Sequence, residues 1–180
     1  MSVLVFAVAL VGLLGLLNLL LLVGVLRRLR EMTEQGWDTT EGPRVADVVP
    51  QPGKQPAEFT VSTVDGREFT RDDLTDQTLI GFFTPGCEAC QGVAVEFADA
   101  ARKHFAPERV IAAIDTTGDD GAEYREVLAP VAQVVVGPRG EHPLAKAYGV
   151  GGFPVVLLVG PGGEVVASGF TLGALPVAVG

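Results

Sequence analysis

The apolar residues divide the chain into two contrasting parts. The run Val3–Leu26 contains no charged residue and a single polar side chain, that of Asn18. As a helix this run would be about 36 Å long, which is enough to cross a membrane. A basic cluster follows it and no small-residue cleavage pattern is present, so we favour a retained anchor over a cleaved signal peptide. We therefore expect a single-pass transmembrane helix within residues 1–30.

The rest of the chain is predicted to be a linker followed by one folded domain. Residues 31–50 combine proline, glycine and acidic residues without a sustained apolar period, which is typical of a linker. Residues 51–180 alternate strand and helix patterns. The first pattern is a hairpin, because two alternating segments, 59–64 and 67–70, flank the two-residue turn Asp65-Gly66. Residues 70–74 resemble a capped short helix.

The later segments predict buried strands and amphipathic helices in alternation. Short apolar runs indicate strands at 78–83, 110–114, 132–136, 153–159 and 164–168. Helical spacing indicates helices at 94–105, 123–128 and 142–148. This alternation predicts an α/β fold with a central mixed sheet flanked by helices. The last residues, 173–180, do not resemble a further helix.

Charge is distributed unevenly along the chain. The net charge is −9, and all 22 acidic residues follow the three arginines, Arg27, Arg28 and Arg30, that flank the anchor. An acidic domain argues against a nucleic-acid partner. The arginines fit an anchor flank at a membrane surface. His104 and His142 stand alone in predicted helices, where we expect exposed side chains without a catalytic or metal-binding role.

The two cysteines, Cys87 and Cys90, are the candidate reactive groups. They are too few for a disulfide scaffold, and too few for a structural zinc site unless two chains share the metal. The alternatives that remain are an inert structural disulfide and a redox-active pair. The C-x-x-C spacing between a buried strand and a helix favours redox chemistry, and we expect no metal.

The predicted position of the pair at a helix N-terminus explains how it would react. The thiolate is the nucleophile in disulfide exchange, and the positive end of a helix dipole stabilises it. Cys87 is therefore the predicted nucleophile, and Cys90, one turn later, is the predicted resolving thiol. Glu88 adds a negative charge beside them. Together with Ala89, it occupies the positions between the cysteines that tune the redox potential.

The segments FFTPGCEACQ and GVGGFPVVLLVGPGGEVVASG resemble the thioredoxin superfamily. The resemblance covers about residues 50–170 and implies a thioredoxin-like fold. The segment before the cysteines, PAEFTVSTVDGREFTRDDLTDQTLIGFF, resembles the membrane-tethered disulfide reductases of cytochrome c maturation. The anchor is similar to that of the thioredoxin-like accessory protein of methylamine dehydrogenase maturation. The resemblance implies a thiol-disulfide oxidoreductase without a cofactor, which acts on protein thiol or disulfide clients and receives electrons from an upstream donor.

The resemblance also implies a substrate-binding role for two further residues. Pro154 matches the proline of the family that is cis and packs against the C-x-x-C pair. The backbone of Phe153, which precedes it, is expected to pair with an extended substrate. Cis peptide bonds are essentially confined to proline, so Pro154 suits this position.

Several positions depart from the family pattern. Gly86 replaces a frequent tryptophan, Ala89 replaces a frequent proline, and Phe153 is bulkier than the usual residue. Gly81 stands where many thioredoxins bury an aspartate, which leaves no obvious proton acceptor for Cys90. These departures keep an alternative function open: a maturation or binding factor that holds an apo-protein, a haem-binding peptide or copper with little redox turnover.

Two arguments predict opposite sides of the membrane for the domain. Arginines after the anchor, with none before it, predict a cytoplasmic domain by the positive-inside rule. The families that the chain resembles work on the extracytoplasmic side, where disulfides persist. We favour the extracytoplasmic side of the cell membrane.

Overall fold

The computed structural model describes residues 48–116 and 118–176, together with Gly12. The chain forms two units, Met1–Arg44 and Val45–Gly180, and the fold described here is that of the second unit. The predicted transmembrane segment, apart from Gly12, and the predicted linker up to residue 47 lie outside the described residues. Within the ranges described, no helix is both long and apolar enough to cross a membrane.

The described residues form seven strands and three α-helices. The strands are β1 (Thr60–Ser62), β2 (Glu68–Thr70), β3 (Thr78–Phe83), β4 (Val110–Asp115), β5 (Gln133–Gly137), β6 (Val155–Val159) and β7 (Val165–Gly169). The helices are α1 (Glu88–His104), α2 (Ala122–Leu128) and α3 (Pro143–Tyr148). Short 3-10 turns occur between them, including Arg71–Asp73 after the hairpin and Leu172–Ala174 after β7.

The main sheet has five strands in the order β5-β4-β3-β6-β7. Strands β3, β4 and β5 run parallel, whereas β6 and β7 are antiparallel to their neighbours. Parallel strands need crossover connections, and α1 and α2 supply them. The carboxyl ends of β3 and β4 therefore lie side by side, with Phe83 paired to Ile114. The cysteine pair lies at this end of the parallel strands.

The sheet separates two apolar layers. One layer packs α1 and α2 against Phe83, Ala112, Ile114 and their neighbours, and it contains Cys90. The other packs α3 and the β1–β2 hairpin against the opposite side of the sheet. Side chains alternate along each strand, so neighbouring residues of β3 and β4 belong to different layers.

Segments from the start of the described domain cover both edges of the sheet. Near the hairpin, Thr63 bridges to Val135 on β5, and the Val64 N–H donates to the Val134 carbonyl. At the other edge, residues 53 and 54 exchange backbone hydrogen bonds with Val165 of β7, at 2.8 and 3.0 Å. The outermost strands are thus partly paired on their outer sides.

The mixed sheet and its flanking helices confirm the predicted fold class. The hairpin is present, with Val61 opposite Phe69, and a capping box closes on Thr70 and Asp73. Several boundaries differ from the prediction. The helix predicted from residue 94 begins at Glu88, the first hairpin strand is shorter than 59–64, and β6 begins at Val155, so Phe153 and Pro154 precede that strand. Proline has no N–H to donate to a neighbouring strand, which accounts for this start.

Candidate active site

The two cysteines lie where β3 passes into α1. After Phe83 the chain turns through Gly86, whose φ of 79° is in the region that favours glycine. Cys87 is the N-cap of α1, and its sulfur accepts a hydrogen bond from the Cys90 N–H at 3.3 Å. The two residues form a disulfide, with their Cα atoms 5.3 Å apart. The predicted strand–turn–helix setting of the pair is confirmed.

Burial distinguishes the two sulfur-bearing residues. Cys87 is partly exposed, whereas Cys90 is fully buried in the layer between the sheet and α1. A disulfide on another molecule can therefore reach Cys87 and cannot reach Cys90 directly. Glu88 and Ala89 are both exposed in the first turn of α1. The glutamate stands at the positive end of the helix dipole, where a negative side chain is stabilised.

The loop before β6 completes the surface around Cys87. The Phe153–Pro154 peptide bond is cis, which confirms the conformation expected for Pro154. The Phe153 carbonyl oxygen lies 3.8 Å from the Cys87 sulfur. The Phe153 side chain is half-buried and packs against both apolar layers. The structure thus brings together four of the predicted site residues: Cys87, Cys90, Phe153 and Pro154.

Aromatic rings surround Gly81, the position that departs from the family pattern by lacking an acid. A Cβ atom on Gly81 would lie 2.6 Å from a carbon of the Phe83 ring and 2.7 Å from a carbon of the Phe97 ring. These two rings pack edge to face, with centroids 5.5 Å apart. Glycine at position 81 is therefore required by packing, and no side chain can replace it without displacing a ring.

Hydrogen bonds fix the turn that precedes the cysteines. The Thr84 hydroxyl donates to the Asp115 backbone carbonyl at 2.9 Å, and the buried Tyr124 hydroxyl donates to the Thr84 carbonyl at 3.4 Å. Burial raises the pKa of Tyr124, so its hydroxyl stays protonated as the donor. Arg139 donates to the Pro85 carbonyl at 3.4 Å and to the Asp120 carboxylate at 3.2 Å. Three separate segments thus hold this turn in place.

The prediction that His142 is an exposed helix residue is wrong. Only 1% of it is exposed, and it is the N-cap of α3. Its Nδ1 accepts the Leu144 N–H at 3.2 Å, which places the ring proton on Nε2 beside the Val135 carbonyl. Burial lowers the pKa of His142, so the ring is neutral. The ring rests on Gly137, where an added Cβ would lie 2.6 Å from it. The other histidine, His104, is exposed as predicted.

Asp115 is a buried polar residue near the site, and the sequence pattern did not predict a role for it. It ends β4, is 2% exposed, and accepts the Gly140 N–H at 3.0 Å on both carboxylate oxygens. With His142 and Phe153 it lines a cavity of about 190 Å³. Its position at the carboxyl end of a buried parallel strand was the available signal, because sites in such sheets gather at that edge.

Comparison with solved structures identifies the fold. A thio-disulfide isomerase from Thermus thermophilus aligns over 67% of this chain and 87% of its own, with 19% identity and a TM-score of 0.56. A thiol-disulfide oxidoreductase from Bacteroides fragilis aligns over 68% and 94%, with 17% identity and a TM-score of 0.57. A secreted disulfide oxidoreductase from Mycobacterium tuberculosis aligns over 68% and 87%, with 16% identity and a TM-score of 0.51. The fold is thioredoxin-like.

Comparisons of the sequence alone give no match to support this thioredoxin-like fold. No protein-family model matches it, and comparison with curated proteins finds no match. At identities below one fifth, the similarity rests on the arrangement of strands and helices. The chemistry of this thioredoxin-like domain therefore has to be argued from its own cysteines and their surroundings.

Proposed function

We propose that this protein is a membrane-anchored thiol-disulfide oxidoreductase that reduces or exchanges disulfides in protein clients. The observation that carries the proposal is the unequal burial of the pair at the start of α1. Cys87 is accessible at the helix N-terminus beside the Phe153 carbonyl, and Cys90 is buried directly behind it. The first cysteine can meet a client and the second can act only on the first.

The reaction follows from this arrangement. The Cys87 thiolate attacks one sulfur of a client disulfide, which forms a mixed disulfide and releases one client thiolate. Cys90 then attacks the Cys87 sulfur and releases the second client thiol. The client gains two electrons and the protein is left with the Cys87–Cys90 disulfide, the form seen in the structure. A dithiol donor protein is needed to reduce it again for the next cycle.

The proposed location and clients rest on the sequence. The apolar run Val3–Leu26 supports an anchor, and the resemblance to reductases of cytochrome c maturation supports an extracytoplasmic domain. The orientation is tested with a reporter that is active only in the cytoplasm, fused after residue 180. An active fusion would support the positive-inside rule and overturn the extracytoplasmic placement.

Trapping of the mixed disulfide tests the function. Cys90→Ser in the full chain leaves Cys87 able to attack and removes the resolving thiol, so client adducts that reducing agent dissolves should accumulate. Cys87→Ser is the matched control, because the buried Cys90 cannot reach a client, and it should trap none. If neither variant forms adducts, starting from the reduced protein, the proposed function is wrong. A stoichiometric complex that survives Cys87→Ala would instead support the binding factor.

The reduction potential tests the direction of electron flow. The pair is equilibrated in thiol buffers and its two states are separated by alkylation of Cys87 and Cys90. A value near −250 mV or lower, on the order of that of thioredoxin, is expected for a reductant. A value near about −120 mV would mark an oxidant and reverse the proposed direction.

A further inference from the structure

The cavity behind Phe153 is built from buried polar groups that the exchange reaction does not use. It holds about 190 Å³, which is below the roughly 300 Å³ at which pockets for small-molecule ligands begin. A single long side chain fits this volume better than a cofactor. Ala145, Val150 and Phe153 supply apolar walls, and Asp115 and His142 supply the polar groups.

The charge of the cavity is set by Asp115. The second polar group, His142, is neutral because its Nδ1 accepts the Leu144 N–H. Lys146 also lines the cavity, and its ammonium group forms an ion pair with Glu141 outside. Among the described residues that line the cavity, the charge without an ion-pair partner is thus the carboxylate of Asp115.

Asp115 has more capacity to accept hydrogen bonds than its surroundings use. A carboxylate offers about four acceptor positions. Among the residues that the structure describes, Asp115 has one donor, the Gly140 N–H, which its two carboxylate oxygens share at 3.0 Å. Burial of a carboxylate without a cation is costly, so a residue 2% exposed in this state suits the binding of a positive group.

The sheet places Asp115 on the α3 side, away from Cys90. Ala112 and Ile114 of β4 face the layer that contains Cys90, whereas Ile111 and Ala113 face the α3 layer. By the alternation of side chains, Asp115 follows Ile111 and Ala113. It therefore does not replace the proton acceptor that is missing at Gly81, which lies on the Cys90 side of the sheet.

The position of Phe153 joins this cavity to the reactive cysteine. Its carbonyl oxygen contacts the Cys87 sulfur at 3.8 Å, and the residue also lines the cavity. An extended client whose cysteine is bonded to Cys87 would therefore pass along Phe153 and bring a neighbouring side chain to the cavity mouth. We propose that the cavity lined by Asp115, His142 and Phe153 is a specificity pocket for a lysine or arginine side chain next to the client cysteine, an inference that rests on the proposed function.

A panel of peptide disulfides tests the pocket on the unmodified protein. Three peptides are made as symmetric disulfides, with lysine, norleucine or glutamate on both sides of the cysteine and the same sequence elsewhere. The full chain, reduced and held in detergent, reacts with each in a single turnover in which the protein is oxidised and two peptide thiols appear. One charge-assisted hydrogen bond to Asp115 should make the lysine peptide react about tenfold faster than the norleucine peptide. The glutamate peptide should be slowest.

Two variants assign any preference to Asp115. Asp115→Asn keeps the side-chain shape and an acceptor for Gly140, and it should reduce the lysine-to-norleucine rate ratio to about one. Asp99→Asn removes the same charge from an exposed position on α1, where Asp99 pairs with Arg102, and it should keep the ratio. The peptide comparison on the unmodified chain tests the pocket independently of any effect of Asp115→Asn on folding.

The possible results separate the pocket from the function on which it rests. Equal rates for all three peptides would overturn the pocket and leave the oxidoreductase intact. A lysine preference that persists in Asp115→Asn would also overturn it, because another group would then be the source of the preference. If no peptide is reduced, the proposed function fails and the pocket fails with it.

Discussion

Replacement of Gly81 by alanine tests the packing that excludes an acid beneath the cysteines. The added Cβ would lie 2.6 Å from a Phe83 ring carbon and 2.7 Å from a Phe97 ring carbon, distances that force a ring to move. Both rings are fully buried, and Phe83 also stacks on Tyr124 with centroids 6.0 Å apart. Overpacking of this kind costs about 1–3 kcal/mol. We therefore expect Gly81→Ala to lower the free energy of unfolding by that amount.

Pulse proteolysis along a urea series measures this loss on the oxidised full chain in detergent. With a denaturant slope of roughly 1–3 kcal/mol per M, the urea midpoint should fall by about 0.3–3 M. Gly92→Ala is the matched control, because Gly92 lies on α1 with no atom within 4 Å of an added Cβ. Alanine in that exposed helical position should raise stability by about 0.5–1 kcal/mol. A midpoint for Gly81→Ala at or above that of the wild type would refute the packing argument.

Three further substitutions test single features of the domain by the same assay. Because burial lowers the pKa of His142, the unfolded chain takes up a proton below about pH 6.5 that the folded chain does not, so stability should fall from pH 6.5 to 5. His142→Asn keeps an N-cap residue, and the fall with pH should be smaller; an unchanged slope would contradict the assignment. Tyr148→Phe removes the buried hydrogen bond to the Gly163 carbonyl at 3.1 Å and should cost about 1 kcal/mol. Gly86→Ala, at a φ of 79°, should cost about 1–2 kcal/mol, and no loss would show that the turn adapts.

The elements of the fold could be predicted because local patterns and tertiary packing agree. The hairpin follows from Asp65-Gly66 between alternating segments, and the buried strands follow from short apolar runs such as 78–83. The cysteine site follows from a spacing that lies within one turn of a helix. These features depend on residues that are close in sequence.

The polar groups behind Phe153 could not be predicted in the same way. Asp115 and His142 are 27 positions apart by their residue numbers, and their burial depends on how β4, β5 and α3 pack. The pattern His142-Pro143 did carry a local signal, since proline at the first helical position favours a cap before it. The order of the strands, which brings these segments together, is not contained in any local pattern.

The covered edges of the main sheet have a consequence for aggregation. An unpaired outer strand is a template on which another chain can add, which leads to aggregation. Here Thr63 and Val64 occupy the outer side of β5, and residues 53 and 54 occupy part of the outer side of β7. Both covering segments precede β3 in the chain. Loss of residues 53–64 would therefore leave the outer sides of β5 and β7 unpaired at the same time. The N-terminal segment of the domain thus also hinders strand addition between two copies of the protein.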